Sequence, residues 1–79
     1  MQFAEVARQF GQKPFQPLMV RMVSGTRYRV NTPETIVSHR FAAFLLPDGT
    51  IATVALEIIE EIRPLAAAAR KNGNGRRKH

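Results

Sequence analysis

Pro17-Leu18-Met19-Val20-Arg21-Met22-Val23-Ser24-Gly25-Thr26-Arg27-Tyr28-Arg29-Val30 is the stretch whose reading decides the fold. Leu18, Val20 and Met22 alternate with Met19, Arg21 and Val23. Tyr28 and Val30 alternate with Arg27 and Arg29. Side chains that alternate in this way lie on opposite faces of a β-strand. Ser24-Gly25 supplies the turn between them, because glycine accepts a positive φ at little cost. The stretch therefore predicts a β-hairpin with one apolar face and one face carrying Arg21, Arg27 and Arg29. Asn31-Thr32-Pro33-Glu34 ends it, since proline has no N–H to give to a ladder.

Downstream, residues 36–46 read as a third, long strand. Its first half mixes Ser38, His39 and Arg40. Its second half, Phe41-Ala42-Ala43-Phe44-Leu45-Leu46, is apolar on both faces, which suits a strand covered on both sides. One side suits a barrel interior, the other a helix or a second subunit. Pro47-Asp48-Gly49 is turn chemistry. Residues 50–56 read as a fourth strand, residues 57–60 as a short 3₁₀ turn, and residues 61–64 as a fifth, short strand. A single helix over 57–69 also fits Ile58, Ile59 and Ile62, but proline inside a helix costs about 3 kcal/mol, and Pro64 counts against it.

Upstream, Phe3, Val6, Ala7 and Phe10 share one face of a short helix that Gly11 and Pro14 bring to an end. Too short to stand alone, it must pack on something. Residues 1–65 form one domain in this reading. Residues 66–79 form a basic tail, and 72–79 have nothing apolar to bury and read as disordered.

The charge is uneven. Arg70, Lys71, Arg76, Arg77 and Lys78 carry +5 of the formal net +6. The body before them is almost neutral, so the sequence pI of 11.2 describes a tail. A chain of 79 residues has little surface to bury and no cysteine to staple it. Self-association is the staple left to it. Two histidines are too few for a structural zinc site. No signal peptide is visible, and no apolar run approaches the roughly 20 residues of a membrane span. A cytoplasmic location is expected.

Pro14-Phe15-Gln16-Pro17-Leu18, Ser24-Gly25-Thr26-Arg27, Thr32-Pro33-Glu34, Pro47-Asp48-Gly49 and Ile59-Glu60-Glu61-Ile62-Arg63-Pro64 together resemble a family of short, uncharacterised bacterial proteins, which brings a pattern and no activity. At fold level the N-terminal helix, the first strand with its Ser24-Gly25 turn and the closing Ile59…Ile62-Arg63-Pro64 are similar to the Sm-like RNA-binding proteins. That resemblance implies a mainly β fold: a small five-stranded antiparallel barrel of the Sm-like or SH3-like kind with an N-terminal helix. It also implies ring assembly through the last two strands and RNA as a ligand. The bacterial Sm-like chaperone carries a Tyr-Lys-His run before its last strand; the positions that align with it here are Ala55, Leu56 and Glu57.

Candidate sites follow from these features. Arg21, Arg27 and Arg29, together with Arg70, Lys71, Arg76, Arg77 and Lys78, are the candidate nucleic-acid contacts, since clustered cations neutralise phosphates. Their bland alternatives are a solvated strand face balanced by Glu60 and Glu61, and a solubilising terminus. Phe41, Phe44 and Leu45 are the candidate oligomer contacts. His39 reads as a strand surface residue. Glu60-Glu61 in a regular strand point to opposite faces and make no catalytic dyad. Asp48-Gly49 lacks the ligands for calcium. No phosphate loop, dinucleotide fingerprint or nucleophile elbow is present. No enzyme activity, cofactor, metal or small-molecule substrate is expected, nor a membrane partner. Two readings stay open: an oligomeric Sm-like protein that binds RNA or DNA weakly and electrostatically, and an assembly module without a nucleic-acid ligand. Arginines exposed beside the tail favour the first; arginines paired with Glu57, Glu60 and Glu61 favour the second.

Overall fold

The computed structural model describes residues 1–65. The tail cations from Arg70 onward lie outside the described residues, as does the reading of 66–79 as a disordered tail.

Helix α1 (Phe3–Phe10) forms where the apolar spacing predicts it and buries Val6 and Phe10. Strands β1 (Leu18–Met22) and β2 (Arg27–Val30) make the expected hairpin. Its loop is closed by Met22 N–H donating to Thr26 O at 2.8 Å and Gly25 N–H to Met22 O at 2.9 Å. Gly25 has φ +97°, the left-handed residue this three-residue loop demands. The Leu46-Pro47-Asp48-Gly49-Thr50 loop repeats the device. Leu46 N–H donates to Thr50 O, Gly49 N–H to Leu46 O, and Gly49 has φ +90°.

The long third strand is two strands. β3 (Thr35–Val37) and β4 (Phe41–Leu45) pair antiparallel in a tight hairpin. Ser38 is the cause. Its Oγ donates to Phe41 O at 3.0 Å and accepts from Phe41 N–H at 3.1 Å and Arg40 N–H at 3.3 Å. The hydroxyl so closes a turn over His39 and Arg40 that competes with continued strand. β5 (Ile51–Ala55) follows, then a 3₁₀ turn (Leu56–Ile58), then β6 (Ile59–Pro64). The residues up to Pro64 are thus strand, not the single helix weighed for 57–69.

The six strands form two antiparallel sheets, ordered β2-β1-β6 and β3-β4-β5. The expected five-stranded closed barrel is therefore corrected: among the described residues no ladder joins the two sheets. The break falls at residues 31–34, where Pro33 cannot donate a ladder hydrogen bond. The inner faces meet in one core. Leu18, Val20, Met22, Val30, Ile59 and Ile62 come from the first sheet. Ala42, Phe44 and Val54, with Leu56 of the 3₁₀ turn, face them. Phe10 of α1 reaches in to stack on Phe44 at 5.8 Å between ring centroids. Tyr28, on the hairpin's apolar face, is only half-buried and meets Phe44 edge-on at 5.7 Å. No helix among the described residues is long and apolar enough to cross a membrane.

Candidate assembly and nucleic-acid interfaces

The two outer faces differ in chemistry. On the β2-β1-β6 sheet, register places Arg29, Met19 and Arg63 in one row and Arg27, Arg21 and Glu61 in the next. A register shift between Arg21 and Met22 leaves Glu60 as the extra residue of a bulge, because Arg21 opposes Glu61 and Met22 opposes Ile59. A bulge re-aims side chains that a regular strand would send to opposite faces. Both glutamates consequently reach one cation: Arg21 Nη2 lies 3.1 Å from Glu61 Oε1 and Arg21 Nε 3.2 Å from Glu60 Oε1. The second of these is an ion pair without an aligned hydrogen bond. Arg63 Nε donates to Glu61 Oε2 at 3.0 Å. The three-arginine cluster is thereby divided. Arg21 is committed to the acidic pair on β6. Arg27 and Arg29 stay exposed along β2, with no ion pair among the described residues.

The strand residues on the outer face of the β3-β4-β5 sheet carry no charge; Glu34, just before β3, borders the face at one end. Phe41 sits opposite Ala55, Ala43 opposite Thr53, and Leu45 opposite Ile51, with Ile36 beside Ala43 on the other side. Ile51 is 70% exposed, Ile36 69% and Phe41 45%. A shallow groove of about 390 Å³ runs between Ile36 and Ile51 over Ala43. Of the three predicted contact residues, Phe41 and Leu45 lie on this face. Phe44 does not: its parity turns it inward, and it is 1% exposed. The side expected to be covered by a helix or a second subunit is open in the single chain, since α1 buries Val6 and Phe10 in the core.

Sequence reading missed Ile36 and Ile51 as part of this face. Their signal was available: each is an apolar residue in register with Ala43 and Leu45, once the strand is divided at Ser38. His39 sits in the β3–β4 turn, and its ring stacks on Phe3 at 4.2 Å, pinning the start of α1. Asp48 serves its turn. Its carboxylate accepts from Thr50 Oγ1 at 2.7 Å and Thr50 N–H at 3.0 Å, which holds its pKa below the usual carboxylate value. Arg8, bonded to Glu5 Oε2 at 2.6 Å, does the same for Glu5. Among the described residues no group of three or more His, Cys, Asp or Glu side chains is placed to hold a metal.

No family model, curated protein or solved structure matches this chain.

Proposed function

We propose that this chain is a self-associating small β module of the Sm-like type, working through assembly and not through catalysis. The largely apolar outer face of β3-β4-β5 carries the reading. A three-stranded sheet normally keeps polar side chains on the face it turns to water. Here Ile36, Phe41 and Ile51 stand there exposed, and apolar area grouped in that way marks an interaction surface. The N-terminal helix and the return of β6 to pair with β1 support the Sm-like part of the reading.

Native mass measurement at micromolar concentration tests it. The expected species is larger than the 8.9 kDa chain, and a stable monomer overturns the proposal. Phe41→Glu combined with Leu45→Glu puts two carboxylates into the contact, where their desolvation opposes docking. The double variant is expected to run as a monomer with its far-UV circular dichroism unchanged.

A second reading is weak, sequence-indifferent binding of RNA or DNA. The exposure of Arg27 and Arg29 favours it. Alternate residues on a strand stand about 6.8 Å apart, so the two guanidinium groups can track neighbouring phosphates. The commitment of Arg21 to Glu60 and Glu61 reduces the cations available and ranks this reading second.

A further inference from the structure

Two three-stranded sheets leave four edges, and an edge strand is a template for another chain unless something blunts it. Three of the four are blunted. β2 carries Arg27 and Arg29 on its four residues. β6 carries Glu60, Glu61 and Arg63, and ends on Pro64, which has no N–H. β3 has only three residues. β5 is the exception: Ile51-Ala52-Thr53-Val54-Ala55 is five residues long with no charge and no proline.

The hydrogen-bond phase of β5 can be read from its ends. Leu46 N–H donates to Thr50 O and Leu56 N–H to Arg40 O, bracketing the β4–β5 ladder. With Ala52 opposite Phe44 and Val54 opposite Ala42, the even-numbered residues of β5 turn their backbone groups to β4. Ile51, Thr53 and Ala55 turn theirs away from it. Three residues in succession therefore offer free donors and acceptors along an uncharged edge.

Building on the reading of this chain as self-associating, we infer that a second copy pairs with β5 through its own β5, antiparallel, about a two-fold axis at Thr53. The pairing joins two β3-β4-β5 sheets into one of six strands. Thr53 stands opposite Thr53 of the second copy, and Ile51 opposite Ala55. All three free residues of each edge are then satisfied. Side chains fit as well. The row that runs Phe41, Ala55 in one copy continues into Ile51, Leu45 of the other. The most exposed large hydrophobic side chain among the described residues is so laid beside the smallest of the row, with Phe41 one strand beyond. The β6 edge is the poorer mate for β5. Its acidic pair and Arg63 are already engaged with each other and with Arg21, and pairing would strip them of water. An isologous contact of this kind closes at two chains, and the joined sheet then ends at both sides on β3, whose three residues offer too short an edge to propagate.

Thr53→Cys tests the axis. The chain has no cysteine of its own, so one introduced thiol reports one contact. In a hydrogen-bonded antiparallel pair the Cα atoms lie about 5.5 Å apart, inside the range a disulfide spans. Mild oxidation is expected to convert the full-length variant almost completely into a covalent dimer of twice the 8.9 kDa chain mass. Ile36→Cys, equally exposed but five strand spacings from its counterpart, or roughly 24 Å, is expected to stay a thiol. Thr53→Pro removes an N–H that the β4–β5 ladder does not use. It is expected to give a monomer with native circular dichroism; should it fail to fold, the cysteine decides. A wild-type oligomer in which Thr53→Cys stays reduced, or whose mass exceeds two chains, overturns the two-fold pairing and leaves the assembly proposal standing. A wild-type monomer overturns both.

Discussion

Phe41 and Phe44 lie on opposite faces of β4, and the difference in parity separates an exposed residue from a core residue. Phe44 stacks on Phe10 and meets Tyr28 edge-on, with almost no surface left to water. Truncating a buried phenylalanine costs about 3–5 kcal/mol, including the cavity left behind. A domain of this size has a total stability on the order of 5–10 kcal/mol. Phe44→Ala is therefore expected to lower the urea midpoint by about a third or more. Phe41→Ala is expected to move a monomer's midpoint little, within about 0.5 kcal/mol, as for other surface changes, and to weaken assembly. Urea unfolding followed by circular dichroism, with mass measured in parallel, checks both. If both variants lost stability equally, the inward and outward assignments on β4 would be wrong.

At the scale of elements, the readings that succeeded rested on period and turn chemistry. The Leu18–Met22 and Arg27–Val30 strands appear where alternation places them, and α1 where Phe3, Val6 and Phe10 share a face. The two glycine loops were legible because a positive φ is a residue-level demand. What escaped was the division of residues 36–46. Ser38-His39-Arg40 holds neither glycine nor proline, and its turn depends on a serine hydroxyl meeting three backbone groups at once. Alternation cannot report that, because the strand resumes at Phe41 in a phase that looks continuous. The same error hid Ile36 as a neighbour of Ala43, and with it the outer apolar face. The bulge at Glu60 escaped for a similar reason: a register shift against β1 is a property of the pairing, not of β6 alone. Ser38→Ala tests the turn. Loss of its hydrogen bonds is expected to cost about 0.5–1.5 kcal/mol, and amide exchange at Arg40 and Phe41 should quicken while the β1–β2 hairpin stays protected. Unchanged exchange at those amides would show that the turn closes without the hydroxyl.

For the whole molecule, charge and apolar area are sorted onto different sheets. The β2-β1-β6 sheet carries every arginine of the original cluster, and the β3-β4-β5 sheet carries an outer face with none. An assembly built through β5 leaves Arg27 and Arg29 open on each copy, so association and anion binding do not compete for the same surface. On that reading nucleic-acid affinity draws chiefly on two exposed strand arginines per chain and the five cations from Arg70 to Lys78, with Lys13 and Arg40 the other exposed cations without an ion pair among the described residues. Such contacts release counterions and read no sequence. The logarithm of affinity should fall linearly with that of salt, by about 0.7–0.9 for each phosphate neutralised. Arg27→Ala with Arg29→Ala is expected to shallow that slope by about 1.4–1.8, and removal of residues 70–79 by more than twice as much, with mixed-sequence RNA and DNA behaving alike. Titrations across salt with both nucleic acids check this. Tight, salt-resistant, sequence-selective binding that survives removal of the tail would require base-reading groups on the two sheets. A guanidinium reads guanine only when it is held for a bidentate contact; Arg27 and Arg29 are exposed, with no hydrogen-bond or ion-pair partner among the described residues to hold them so, and the other outer face is largely apolar.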